Sequence, residues 1–348
     1  MARILFSIHH PAHVHFFRNA IKELTDDGNS IAVFARDKDV TVQLLESYSI
    51  QHEILSGNFK TTMGLVKESL KYEFNLLRKA RDFEPDILVS IGSGALTSYI
   101  SSLIGATSIA FNDTENATLQ NRIGYPMVDQ IFTPDCYNGD HGTKHVKYAG
   151  YHELAYLHPD RFKPDPSVLN MAGLDHDEQF VILRLISWDA IHDVGDSGFK
   201  DIVDVVEELE DTGATVRITS EANLPSGVED RQVSIPPHQI HDLMAFADLY
   251  VGESATMAAE SSVLGTPAIF VSSSRRGYTD ELEAKYGLVF NYSDESRHKD
   301  GLNQALKILE RDDDENWEKR RQKMLEEKID TTDFITKTIQ KSVRGANR

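Results

Sequence analysis

Cysteine is all but missing from this chain. Cys136 is the single one in 348 residues, so no internal disulfide can form and a reducing cytosol suits the protein. Basic residues are also short: 36 Lys and Arg against 55 Asp and Glu leave a formal charge of −19. That balance argues against a nucleic-acid partner, which would need a basic face. The acidity is diffuse, as on a solvated surface, and suits solubility in concentrated salt. No stretch is long and apolar enough to span a bilayer, and the N-terminus lacks the apolar core of a signal peptide. The expectation is a soluble cytoplasmic protein that at most touches a membrane surface.

Glycine is absent where it would be most informative. In "ILFSIHHPAHVHFFRNAIKEL" an apolar run meets an amphipathic pattern, the seam where a nucleotide-binding βα unit places glycines against phosphate. Here His9, His10, His13 and His15 stand instead. They could bind zinc, but the segment offers no carboxylate or cysteine to complete a site, and no metal is expected. Packing or helix capping accounts for His9 and His15. His13, with His10 as its alternative, is the candidate to take a proton or hold a substrate, because an unperturbed imidazole titrates near neutrality.

What is present is alternation. An apolar share of 40% supports real cores, and 348 residues suit two domains better than one. Short β-rich runs at Ile4–Ile8, Ile31–Phe34, Ile87–Ile91, Ser108–Phe111 and Gln130–Thr133 alternate with helical periods at Phe16–Thr25, Met63–Arg81 and Ala95–Ile104. "YAGYHELAYLHPDRFKPDP" breaks the pattern with prolines and aromatics and serves as the linker. Alternation resumes with "FVILRLIS", "ATVRITS", "LYVGES", "PAIFVSS" and "GLVFNYS", with helices at Lys200–Glu210, His238–Ala247 and Ala255–Leu264. The fold class is α/β: two doubly wound Rossmann-like domains, 1–160 and 161–330, facing across a cleft. A C-terminal helix over 331–348 can return to the first domain.

In "ADLYVGESATMAAESSVLGTPAIFVSSS" a strand delivers Gly252, Glu253, Ser254, Ala255 and Thr256 into a turn and a helix. Small residues there let a diphosphate meet the helix's first amides, and Glu260, two turns in, can accept both hydroxyls of a ribose. The same pattern fits an ordinary βαβ unit with Glu260 on a solvent face. Arg184, in the loop after the first strand of this half, can grip phosphate, and Ser187 can add a hydroxyl; Arg184 fits a structural ion pair equally well. After the strand ending at Phe111, "FNDTENATLQN" offers Asp113 and Glu115 to orient His13 or hold acceptor hydroxyls, or, for Asp113, to cap the next helix. His192 and Asp193 belong to the loop after Arg184 or cap a helix at Ser197. "RDDDEN" is a solvated turn.

These residues carry a family likeness. "GESATMAAESSVLGTPAIF" resembles the donor-nucleotide motif of GT-B glycosyltransferases of the MurG type and the matching segment of UDP-N-acetylglucosamine 2-epimerases. In both, the glutamate at this place holds the ribose of UDP, which implies that role for Glu260. Glu253-Ser254-Ala255 departs from the usual Ser-Gly-Ala or Ser-Gly-Gly, so Glu253 is expected to point away from a diphosphate. "PPHQIHDLMAFADLYVG" is similar to the segment before the motif, whose leading loop faces the base, implying His238 and Ile240 there. "PAHVHFF" resembles MurG's Gly-Gly-His-Val-Phe-Pro and puts His13 over the family's histidine. The segment from Pro85 to Ile123 resembles the one from a Gly-rich turn to a His-Glu-Gln-Asn loop. The whole chain is identified as a member of the DUF354 family, largely archaeal, assigned to the GT-B superfamily and without a settled reaction.

The resemblance implies a glycosyltransferase that moves a sugar from a UDP donor to a glycan or lipid-linked acceptor in glycan or cell-envelope assembly, with no metal cofactor. The alternative is a UDP-sugar 2-epimerase. Against it, the epimerase's Gly-Thr-Arg-Pro-Glu opening is here His9-His10-Pro11-Ala12-His13. Its Gly-Asp-Thr turn is Gly92-Ser93-Gly94, and its His-Arg-Arg-Glu loop is Ser187-Trp188-Asp189-Ala190. A binding partner without catalysis would have no need of the titratable cluster. "GNFKTTMGLVKESLKYEFNLLRKARDF" joins Met63, Leu65, Leu70, Leu76 and Leu77 to six basic residues, fitting either a peripheral membrane helix or a plain surface helix.

Overall fold

The computed structural model describes residues 1–57, 62–92, 97–115, 118–185, 199, 201–220, 223–310 and 317–346. The chain divides into two compact units: 1–158 with 328–348, and 159–327. Ser187, His192, Asp193 and Ser197, the turn residues Ser93 and Gly94, and the acidic segment 311–316 lie outside the described residues.

The first unit holds a parallel seven-stranded sheet of β1 (Arg3–Ile8), β2 (Ser30–Arg36), β3 (Glu53–Ser56), β4 (Ile87–Ile91), β5 (Thr107–Phe111), β6 (Gln130–Pro134) and β7 (His145–Tyr148), in the order β3-β2-β1-β4-β5-β6-β7. Its crossovers carry α1 (Pro11–Asp26), α2 (Thr41–Ser47), α3 (Thr62–Phe83), α4 (Thr97–Ile104) and α5 (Thr118–Gly124). The inner strands are apolar on both faces, as parallel strands between helix layers must be; Ile4, Leu5, Phe6 and Ile8 of β1 are all fully buried. On one face Tyr72, Leu76 and Ala80 of α3 pack on Leu5, Leu55 and Leu88.

The second unit holds a parallel five-stranded sheet of β8 (Phe180–Leu185), β9 (Thr215–Ser220), β10 (Leu249–Gly252), β11 (Ala268–Val271) and β12 (Val289–Tyr292), ordered β12-β11-β10-β8-β9. Its helices are α6 (Ser167–Met171), α7 (Ile202–Glu210), α8 (Ile240–Met244), α9 (Ala255–Leu264), α10 (Gly277–Glu281), α11 (Arg297–Leu309) and α12 (Trp317–Glu327). Val205, Val206 and Leu209 of α7 and Leu302 and Ala305 of α11 close one face over Val181, Leu183, Val216 and Val251. The last helix, α13 (Thr331–Ala346), belongs to the first unit and packs on α1.

The stretch expected as a linker contains the passage between the units, but its aromatic first half is core. Tyr151, Leu154, Ala155, Tyr156 and Leu157 are buried in the first unit. Asn19 of α1 donates to the carbonyl of Ala155 at 2.8 Å, and the hydroxyls of Thr331 and Thr332 donate to the carbonyls of Tyr151 and Ala155. The passage to the second unit comes afterwards, between His158 and Pro159. The charged tail is two helices, with Lys328 turning between them. Its ammonium lies 2.8 Å from the Asp135 carboxylate and over the Tyr151 ring.

Candidate functional sites at two switch points

In a doubly wound sheet the crevice for ligands opens where the strand order reverses, at the strands' carboxyl ends. In the second unit β9 lies on one side of β8 and β10 on the other, so the reversal falls between β8 and β10. There Arg184 pairs in register with Gly252. Arg184 is thus part of strand β8 and not of the loop after it. A Cβ on Gly252 would stand 2.7 Å from the Arg184 Cβ and 2.9 Å from its carbonyl oxygen, so only glycine lets the strands close at this point.

The turn after β10 is locked by its own chemistry. Ser254 is the N-cap of α9, and its hydroxyl accepts the Met257 amide at 3.3 Å. Its carbonyl accepts the Tyr250 hydroxyl at 3.2 Å. The amides of Ala255 and Thr256 lie in the first turn, where a helix has no carbonyl of its own to offer and its dipole favours an anion. Gly265 stops α9 in the left-handed region at φ 102°, a conformation that leaves other side chains strained. Glu253 is buried, with its carboxylate 3.7 Å from His298 of α11.

Glu260 does not face solvent. It is 4% exposed, and its Oε1 lies 2.8 Å from Nε2 of His241, itself buried on α8. His241 is absent from the sequence expectation, which places His238 and Ile240 at the base. His238 lies in the single helical turn Pro237–Gln239 and Ile240 opens α8, so both precede His241 on one short element. The missed signal is spacing: His241 and Met244, three apart, share the buried side of α8, a place where a polar residue needs a partner.

In the first unit the order reverses between β1 and β4, and the histidines sit at the end of β1. Among the described residues no three of these imidazoles bring ring nitrogens within 4.8 Å of one another, although the His13 ring lies 6.3 Å from that of His9 and 6.1 Å from that of His10. His10 is the N-cap of α1, its ring accepting the Ala12 amide at 3.2 Å, so capping falls to His10 and not to His9 or His15. His9 Nε2 lies 2.9 Å from the Ser7 hydroxyl, which also meets the hydroxyl of Tyr72. His15 stacks on Tyr156 with centroids 5.3 Å apart. His13 Nδ1 accepts the His9 amide through a long bond of 3.4 Å. In that arrangement the neutral ring carries its hydrogen on Nε2, and taking a proton on Nδ1 requires release of the His9 amide.

Asp113 is neither a helix cap nor a partner of His13. α5 starts at Thr118, too far along for Asp113 to cap it. One carboxylate oxygen accepts the Thr114 hydroxyl at 2.9 Å, and the other lies 3.2 Å from Nδ1 of His152. The sequence reading missed His152 because it sits in the supposed linker; the apolar composition of that stretch was the available signal. A carboxylate on Nδ1 leaves the lone pair of a neutral ring on Nε2, and here Nε2 is buried without a protein partner. This is an oriented imidazole of the kind a general base requires.

Burial, then the neighbouring charges of Arg36 and Lys38, holds His9 down to about 4. Burial first, with His10, His9, His152 and Lys38 adding to it, holds His13 well below its ordinary value. His152 is lowered by burial, against the pull of Asp113. In the unfolded chain imidazoles titrate near 6.5. Between the two values the unfolded chain takes up protons that the folded chain refuses, so stability present above pH 6.5 is lost as pH falls toward 4. Glu73, pushed up to about 7 by burial, opposes this: it costs stability as pH rises from its unfolded value through 7. Three imidazoles outweigh one carboxyl. Unfolding by urea at pH 5 is expected to show a free energy about 2 kcal/mol below that at pH 7. Equal values at the two pH values would mean that these rings are solvated in the folded chain.

Two units of this topology, each a parallel sheet between helices, define the GT-B fold. The sequence profile of DUF354, described as a "Protein of unknown function", matches residues 3–344, and the chain belongs to that family. It is 22% identical over 278 residues to an uncharacterized protein of Methanocaldococcus jannaschii, covering 74% of this chain and 78% of that one. Among solved structures it is similar to the UDP-GlcNAc 2-epimerase from Neisseria meningitidis bound to UDP-GlcNAc. There the TM-score is 0.71 at 13% identity, with 97% of this chain and 100% of that one covered. It is also similar to the spinosyn rhamnosyltransferase SpnG complexed with thymidine diphosphate. That TM-score is 0.65 at 13% identity, over 98% and 100% of the chains. At such identity the likeness concerns the fold.

Proposed function

We propose that this protein is a glycosyltransferase that moves a sugar from a nucleoside-diphosphate donor, of the UDP type, to a hydroxyl of a glycan or lipid-linked acceptor. The observation that carries the reading is the switch point of the second unit, where Arg184, Gly252 and the capped start of α9 converge. A helix N-terminus and a guanidinium suit a diphosphate, and they would stabilise it as it departs with its developing charge. Glu260 holds the ribose, His238 and Ile240 stand toward the base, and Ser187 adds a hydroxyl to the diphosphate. In the first unit the imidazoles offer a proton acceptor for the attacking hydroxyl: His13, held neutral by burial, as first candidate, with the exposed His10 and the Asp113–His152 pair as its alternatives. Related folds whose names record bound UDP-GlcNAc or thymidine diphosphate support a nucleotide-sugar donor.

The test is to incubate the purified protein with a panel of UDP- and GDP-sugars, without acceptor, and observe the sugar by NMR. Binding with slow release of UDP and no epimer is the expected result. Appearance of the 2-epimer would make the protein an isomerase and overturn the proposal. A panel in which nothing binds would overturn both readings.

A peripheral membrane acceptor fits the outer side of α3. Leu70 is 57% and Phe74 70% exposed, and Lys67, Lys71 and Arg78 are exposed at the same helical spacing. Among the described residues no helix is long and apolar enough to cross a membrane. The protein is expected to sediment with phosphatidylglycerol vesicles, and Leu70→Ser with Phe74→Ser to reduce the bound fraction about tenfold. Failure of the unmodified protein to sediment would point to a water-soluble acceptor.

A further inference from the structure

A pocket in the first unit takes in Glu115, offered by the sequence for acceptor hydroxyls, and otherwise residues that the chemistry above does not use. It opens between the segment after β5 and the loop that joins β6 to β7, and its volume is about 470 Å³. Ligand pockets commonly have this size. Glu115, Asn121, Tyr125, Tyr137, His141 and Lys144 line it.

Its walls combine an aromatic corner with hydrogen-bond acceptors that lack donors. The Tyr125 and His141 rings stand 4.4 Å apart at 63°, and Tyr137 meets His141 at 5.6 Å and 52°. The Tyr137 hydroxyl lies 3.1 Å from His141 Nε2, which holds both rings in place. Asn121 is only 5% exposed, and its Oδ1 has no partner among the described residues. The Glu115 carboxylate is fixed through Oε1 by the Asn138 amide at 3.0 Å, while Oε2 is buried with no partner among the described residues. Lys144 does not cancel this need, because its ammonium donates to the carbonyls of Pro126 and Val128 at 2.8 and 2.7 Å.

Buried acceptors of this kind cost stability until a donor reaches them. The complementary ligand brings several donors on one edge and a C–H face for the rings. Arg122 lines the pocket too, but the Glu115 and Asp140 carboxylates oppose an anion beside it, so phosphate fits poorly. A pyranose has both required faces: adjacent hydroxyls for the carboxylate and the amide, and an apolar side for the tyrosines.

We propose that this pocket binds a pyranose ring of a carbohydrate, with Glu115 and Asn121 accepting from neighbouring hydroxyls and Tyr125 and Tyr137 covering the ring. That the sugar belongs to the acceptor rests on the transferase reading above; that the pocket takes a sugar does not.

The full chain is mixed with methyl glycosides of glucose, mannose, galactose and N-acetylglucosamine at millimolar concentration, together with UDP. Saturation transfer from protein to each ligand is then read by NMR. At least one glycoside is expected to receive saturation. Asn121→Leu and, separately, Glu115→Gln are expected to weaken its binding about tenfold, with UDP signals and thermal midpoints unchanged. The Glu115 variant keeps the test decisive if the buried Asn121 variant fails to fold. Saturation of UDP but of no glycoside overturns the pocket and leaves the transferase reading standing. Saturation of a glycoside but not of UDP upholds the pocket and overturns the UDP donor in that reading. Glycoside binding that survives both variants, or that inorganic phosphate displaces, overturns the proposal.

Discussion

Glu260→Ala is expected to lower the unfolding free energy by about 3 kcal/mol, whereas Glu260→Gln keeps the fold and loses UDP. The alanine variant strips the buried His241 ring of its 2.8 Å acceptor and leaves a cavity inside α9. Removing one partner of a buried pair costs about 3–5 kcal/mol, and the lower end applies to a single imidazole–carboxylate bond. Glutamine preserves the carbonyl that accepts from His241 but has no charge for ribose hydroxyls. Hydrogen bonds to charged groups contribute about 1.5–3 kcal/mol, so UDP affinity should fall about tenfold or more in that variant. Urea unfolding and calorimetric titration with UDP separate the two effects. If Glu260→Gln binds UDP as tightly as the unmodified protein, the residue serves folding alone.

His13→Ala is expected to slow sugar transfer by about 10²–10⁴-fold while UDP affinity stays the same. A general base works in its neutral form, and burial with neighbouring positive charge holds His13 well below the ordinary imidazole range. The acidic limb of kcat/KM should therefore fall well below pH 6.5, where an exposed imidazole would place it. Parallel assays of His152→Gln identify the competing base. Full activity in His13→Ala with loss in His152→Gln would assign proton transfer to the Asp113–His152 pair. A limb near pH 6.5 in the unmodified protein would exclude a buried imidazole as the base.

The strands were legible where both faces are apolar. Ile87–Ile91 and the helix Ala255–Leu264 match residue for residue, because continuous apolar runs and a glycine stop leave few alternatives. β3 and β7 escaped notice because each is a four-residue edge strand with only one neighbour and with exposed residues in it. The helix Thr41–Ser47 was likewise too short to show a period. At the candidate sites, residues that follow a strand were visible by position, as with His13, Asp113 and Ser254. Their partners were not. His152 and His241 come from distant segments, and only the folded chain brings a carboxylate onto each imidazole. Proline and aromatic density suggested a linker over 148–166; the units do part there, at 158/159, but burial of tyrosine and leucine makes its first half core.

The return of α13 to the first unit has a consequence for biosynthesis. Ribosomes release polypeptide from the amino end, and domains that are continuous in sequence can complete themselves while later residues are still being added. Residues 159–327 meet that condition, whereas the unit that begins first does not. Its helix α1 must wait for residues 328–348 before α13 covers it, and the carbonyls of Tyr151 and Ala155 wait for the hydroxyls of Thr331 and Thr332. The nascent amino-terminal half thus leaves the ribosome with an apolar flank uncovered, and the last step of its assembly follows synthesis of the whole second unit.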